Sequence, residues 1–119
     1  MAFVKFTNVR SRIDTPKVSI WTRGQIGFNQ GSVDEYGIDK YGYAILYYDE
    51  ESRSVGVELS NDPKADGAAK LVKGKNAGTS FSARAFLKHY KIDFSETKQY
   101  ALERDDDNGL LILDLNNPL

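Results

Sequence analysis

The chain has 119 residues, 40% of them hydrophobic and 28% charged, which suits one compact domain with a modest core and is too short for two independent ones. A formal net charge of -1 exerts no overall pull toward nucleic acid or membrane, so any electrostatic role must come from how the charges are distributed. With no cysteine there are no disulfides, thiolate nucleophiles or cysteine-ligated zinc, and no apolar run reaches the length of a signal core or a membrane span; the expected setting is the cytoplasm.

Taken in order, Met1 to Val9 alternates as a short strand, and Arg10 to Pro16 is a basic, polar connector. Lys17 to Trp21 carries β-branched Val18 and Ile20 in alternation, and Arg23-Gly24 breaks it before a second brief strand, Gln25 to Phe28. Asn29 is placed to cap a short helix in which Val33 and Tyr36 share a face and Asp34 and Glu35 sit in early turns. Gly37 fits the left-handed position that ends it. Tyr43 to Tyr48 and Ser54 to Leu59 then form a hairpin around the polar turn Asp49 to Arg53, with Val55, Val57 and Leu59 on one face.

Ser60 to Gly78 holds Pro63, glycines and lysines around a small apolar patch at Ala68, Ala69, Leu71 and Val72, and is expected to be a linker with one weak strand. Beyond it Ser82 is the expected cap of a better helix, in which Ala83, Phe86, Leu87 and Tyr90 face the core. Gln99 to Arg104 and Leu110 to Leu115 make a second hairpin around Asn108-Gly109, a strong turn signal, and the tail Asn116 to Leu119 is expected to fray.

The second half resembles the first. Placing Tyr36-Gly37-Ile38-Asp39 over Tyr90-Lys91-Ile92-Asp93 carries Gly24 onto Gly78, and a two-residue insertion then carries Asp49 onto Asp105 and Val55, Val57 and Leu59 onto Leu111, Leu113 and Leu115. One strand–helix–hairpin unit exposes an apolar hairpin face that it cannot bury alone, whereas two in one chain can bury each other's. The expectation is therefore a single β-rich α+β domain over residues 1–119, made of two similar strand–short helix–β-hairpin units, 18–59 and 70–115, joined by a linker at 60–69 and packed as a pseudo-twofold small barrel or sandwich.

Arg23-Gly24-Gln25-Ile26, the capped helix, Gly37-Ile38 and the hairpin Tyr43 to Leu59 resemble the swapped-hairpin unit of the AbrB/MazE family. The resemblance implies two interleaved hairpins in one small barrel and a DNA-binding regulator. It departs from the family pattern in having Gln30 or Gly31 where a proline usually opens the helix, Lys91 where a glycine would end the second helix, and Ser80 where an apolar strand residue is expected. A runner-up is the Whirly-like class of single-stranded nucleic-acid binders, which shares the strand-rich composition without a matching motif.

Charge is divided along the chain. Residues 1–23 carry Lys5, Arg10, Arg12, Lys17 and Arg23 against Asp14 alone, and residues 63–91 carry seven cations against Asp66; the hairpin segments 24–62 and 92–119 are strongly acidic. If the two basic arms meet on one side, Arg12, Lys17, Arg23, Lys73, Lys75 and Arg84 are the candidate phosphate contacts, with Lys70 and Lys88 nearby. Trp21, Tyr41, Tyr43, Tyr47 and Tyr48 can stack on bases or simply fill the sheets.

Nothing in the sequence supplies catalysis or a cofactor. His89 is the only histidine and lies on the polar side of a helix; Asp105 to Asn108 lack the downstream glutamate of a calcium loop and read as a turn; the glycines at 24, 27 and 31 match no dinucleotide fingerprint. The expected function is a non-enzymatic DNA-binding module with no metal, cofactor, membrane or small-molecule partner. The competing class is a protein-interaction or homodimeric assembly module using strand edges and acidic hairpins.

Overall fold

The computed structural model describes residues 15–74 and 78–119, so the expected strand at Met1 to Val9 and the candidates Arg12 and Lys75 lie outside the described residues. In chain order the elements are β1 (Lys17–Ile20), β2 (Gln25–Phe28), α1 (Gln30–Tyr36), a single 3-10 turn (Ile38–Lys40), β3 (Tyr43–Asp49) and β4 (Ser54–Ser60). They continue with β5 (Ala69–Lys70), β6 (Val72–Lys73), β7 (Thr79–Ser82), α2 (Arg84–His89), β8 (Lys98–Ala101), β9 (Glu103–Asp105) and β10 (Leu110–Asp114).

These strands form two five-stranded antiparallel sheets, ordered β6-β7-β2-β1-β8 and β5-β3-β4-β10-β9. In the first, Val18 and Ile20 pair with Phe28 and Ile26, and these in turn with Thr79 and Phe81; all six side chains are buried. Alternation along a strand therefore turns the intervening row, Ser19, Gly27 and Ser80, to the opposite, outer face. In the second sheet Val55 and Val57 pair with Leu113 and Leu111 between the two hairpins and bury completely or nearly so. This is the apolar hairpin face that the sequence pattern predicted to need a cover.

The linker is more ordered in pattern than its composition suggests. Two short strands, not one, flank Leu71: β5 belongs to the second sheet and β6 to the first. Similarly the expected strand Gln99 to Arg104 divides at Leu102 into β8, in the first sheet, and β9, in the second. Leu71 and Leu102 are both buried at these bends, and strand pairing passes through them from sheet to sheet until it returns to its start. The core lies between the sheets, with Val33 and Ile38 from the α1 side and Ala83, Leu87 and Ile92 from the α2 side.

Local chemistry sets the helix ends. Asn29 Oδ1 accepts from Ser32 N at 2.9 Å, from Ser32 Oγ at 2.8 Å and from Lys17 N at 3.0 Å, so one amide caps α1 and fixes the start of β1. Asp34 and Glu35 are not in the first turn of this helix; the Asp34 carboxylate instead accepts from Gln30 Nε2 at 2.7 Å. Gly37, at φ 64, ends it. Ser82 does not cap α2: it is the last residue of β7, opposite Gln25, and the cap position is Ala83, without a side-chain bond. There the backbone does the work, with Ala83 N donating to Gly24 O at 2.8 Å.

The tail is also held. Leu119 N donates to Gln99 O at 2.7 Å, and Pro118 bridges to Tyr100. A strand whose outer edge would otherwise be open gains a neighbour in this way, and Asn116 to Leu119 does not stand free as expected.

Candidate nucleic-acid interface

The two sheets differ in charge. The strands of the first carry Lys17, Lys73 and Lys98 and no carboxylate, whereas those of the second carry Asp49, Glu58, Glu103, Asp105 and Asp114 against Lys70 and Arg104. The division follows from topology: both acidic hairpins contribute their long strands to the second sheet, leaving the segments before each helix, together with β8, to build the first.

Of the candidate residues, Arg23 and Arg84 are brought to one end of the first sheet. Arg23 is exposed in the turn between β1 and β2, followed by Gly24 at φ 84, whose N donates to Trp21 O at 2.9 Å. Arg84 opens α2 directly against that turn: a Cβ placed on Gly24 would stand 2.7 Å from the Arg84 Cβ. Lys17 and Lys73 lie toward the other end, where the row Val18, Phe28, Thr79, Lys73 crosses the sheet from β1 to β6. Lys17 shares the outer parity of the neutral row Ser19, Gly27 and Ser80, whereas Lys73, in register with Thr79, has the opposite parity, and the residue beside Ser80 on β6 is the exposed Val72. Lys70 pairs with Tyr43 in the second sheet instead.

The one ion pair among the described residues is Arg104 with Asp106, at 3.0 Å on an exposed hairpin. Arg23, Arg84, Lys17 and Lys73 make no ion pair with a described carboxylate. Asp93 is an acidic group close enough to feel the Lys98 charge. Its carboxyl is held below the usual range, chiefly by the Ser95 backbone N–H and hydroxyl, with a smaller contribution from the Lys98 charge.

The aromatic candidates separate. Trp21 is half-buried on the first sheet, where the far edge of its indole lies on Gly27: a Cβ there would fall 2.2 Å from the Trp21 Cη2 atom. Beside it opens a cleft of about 360 Å³ floored by Gly27 and flanked by Ser19 and Ser80. The sequence pattern gave no sign of this cleft, because its floor is a missing side chain and its walls are small residues. The tyrosines belong elsewhere. Tyr48 lies tilted against Tyr90 at 4.7 Å and meets Phe86 edge-on at 6.2 Å, closing α2 onto the second sheet, while Tyr47 stands on that sheet's outer face and donates its hydroxyl to Glu58. Tyr43 also lies on β3, and Tyr41 is exposed just before it.

His89 is exposed, its ring edge-on to Tyr90 at 4.7 Å, with no side-chain hydrogen bond or ion pair among the described residues. Asp105 is organised as a turn: its Oδ1 accepts from Asp107 N at 3.1 Å and its Oδ2 from Asn108 Nδ2 at 2.7 Å. No group of metal-ligating side chains occurs among the described residues, and none of their helices is long and apolar enough to cross a membrane. No protein-family model matches the chain, and no curated protein or solved structure matches it at a significant level.

Proposed function

We propose that this chain is a non-enzymatic nucleic-acid-binding module of AbrB-like type, whose first sheet presents cations to phosphates while the acidic second sheet faces away. The observation that carries this reading is the partition of charge between the sheets: three lysines and no carboxylate on the strands of one, five carboxylates on the strands of the other. A net charge near zero conceals a polar molecule, and a polar molecule orients on a polyanion.

The two-unit, pseudo-twofold architecture belongs to the same proposal. Supporting it, Gly24 and Gly78 share φ values of 84 and 85, and each opens a four-residue strand that leads into a short helix. Gly37 and Lys91 end those helices at φ 64 and 56, and Arg53 and Gly109 close the hairpin turns at φ 54 and 67. The β2–β7 and β4–β10 registers each map onto themselves when the two halves are exchanged.

The test is a titration with labelled DNA at low and moderate salt. Binding at low salt should weaken steeply as salt rises, each neutralised phosphate adding roughly 0.7 to 0.9 to the slope of log affinity against log salt. Arg23→Ala combined with Lys73→Ala should reduce both the affinity and the slope. Absent binding at low salt, or indifference to the double substitution, discards the reading.

One observation favours a second reading, a protein-interaction surface. On the outer face of the second sheet Tyr47, Leu110 and Ile112 close over Gly56, and Tyr47 is 46% exposed. Sizing in solution against Tyr47→Asp separates the two, since a self-associating face would lose its oligomer and a nucleic-acid binder would keep its affinity.

A further inference from the structure

We infer that the cleft beside Trp21 receives one unpaired nucleobase, so that the chain holds single-stranded nucleic acid in preference to duplex. This rests on the phosphate-binding part of the reading above, takes the single-stranded class in place of its AbrB-like type, and goes further by naming what enters the site.

The cleft is a consequence of strand alternation and one absent side chain. Ser19, Gly27 and Ser80 are register partners on three adjacent strands, all turned outward. Because position 27 has no Cβ, the Trp21 indole can lie down along the sheet, where a methyl group would meet it at 2.2 Å. The result is a half-buried aromatic wall beside a cleft of about 360 Å³, within the size range of small-ligand clefts.

The polar groups at this site divide into those already engaged and those left over. Asn29 is engaged by Lys17 N, Ser32 and Thr15 O, and Gln30 is tied to Asp34 and to Gly78 N, so these two are fixed walls. By contrast, the Ser19 and Ser80 hydroxyls and the indole N–H make no hydrogen bond within the described residues. What the described residues leave is an aromatic face and three neutral polar groups, with no charged side chain among those that line the cleft. That chemistry fits an uncharged planar heterocycle with donors and acceptors on its edge.

Charge lies at the rim instead. Lys17 is two residues before Ser19 on β1 and so shares its outward parity, while on β6 the residue in register with Ser80 is Val72 and Lys73 has the opposite parity. A neutral described lining with Lys17 at its margin matches a base joined to a phosphodiester chain. In a duplex the base faces are already stacked on one another and its edges paired, so this site can be filled only by a strand whose base is free to leave the stack.

Trp21 is the only tryptophan, so its fluorescence reports the site directly. The experiment titrates the full chain with a short oligothymidylate, with an abasic strand of the same length, with the corresponding duplex and with thymidine monophosphate. Expected are quenching by oligothymidylate, tighter binding than either the abasic strand or the duplex, and much weaker binding of the mononucleotide. Trp21→Leu should weaken oligothymidylate roughly ten- to a hundredfold and leave the abasic strand unaffected. Ser80→Val keeps the tryptophan and fills the cleft with methyl groups, so it should abolish quenching even if Trp21→Leu fails to fold. Equal affinity for abasic and base-bearing strands, or binding without quenching, would overturn the inference and leave the phosphate reading standing. A mononucleotide as tight as the strand would also overturn it, and no binding of any strand at low salt would remove both.

Discussion

Gly24 and Arg84 are in contact through their main chains: a Cβ at position 24 would lie 2.9 Å from the Arg84 Cα, and Gly24 O accepts the N–H of the preceding residue, Ala83. The turn after β1 is thus the seat on which α2 begins. Gly24→Ala meets both that backbone and an unfavourable φ of 84, and is expected to cost about 1–3 kcal/mol. Urea unfolding monitored by circular dichroism checks this. Arg84→Ala, with an exposed side chain, should change stability by less than about 0.5 kcal/mol while weakening low-salt DNA binding.

Lys91 and Arg53 are the non-glycine residues described with positive φ, at 56 and 54. Left-handed backbone costs an L-residue roughly 1–2 kcal/mol, and the extra freedom of glycine in the unfolded chain takes back part of the relief. Lys91→Gly and Arg53→Gly should therefore each stabilise by about 0.5–1 kcal/mol, whereas Gly37→Ala should destabilise by a similar amount. Midpoints of thermal unfolding give the signs, and a fall in both glycine variants would contradict the account.

Asn29 serves two elements with one side chain. Asn29→Ala leaves Ser32 N and Lys17 N without their acceptor and should cost at least about 1–2 kcal/mol. Asn29→Asp keeps that acceptor and gives up only the donor to Thr15 O, so its loss should be smaller. Comparison of the two variants by chemical denaturation tests the division.

Asp105 and Asp93 predict a weakening in acid. The Asp105 carboxyl is held below its ordinary value of 3.8, first by the Asn108 side chain and also by backbone N–H groups of the turn; Asp93 is lowered mainly by the Ser95 N–H. A carboxyl whose folded pKa is depressed contributes its stability in full above the ordinary value. It loses that contribution as pH falls through the depressed one. Unfolding free energy should accordingly decline below about pH 4, and Asp105→Asn should flatten the decline.

Much of this architecture could be read from residue pattern because local chemistry is loud where it matters. Asn29 and Gly37 bracket α1, Asn108-Gly109 marks a turn, and Val55, Val57, Leu111 and Leu113 alternate as half-buried strands must. The misreadings have a common cause. Ser82 looks like a cap and Leu71 like linker filler because neither the backbone bond from Ala83 to Gly24 nor the pairing of β5 with β3 has a local signature. For the site, charge runs name the cations but not the sheet each joins, as Lys70 beside Tyr43 shows, and the Trp21 cleft depends on register between Ser19, Gly27 and Ser80, which lie far apart in the chain.

The ring of strands has a further consequence. Going round it, β1 meets β8, β2 meets β7, β3 meets β5 and β4 meets β10, so contacts across the exposed 61–68 loop alternate with hairpins on either side of it. A peptide-bond cut in that loop would leave two pieces, neither able to complete its sheets by itself. Mixed together, such fragments should reconstitute one molecule and unfold in a single step, a form of complementation in which neither half is an independent part.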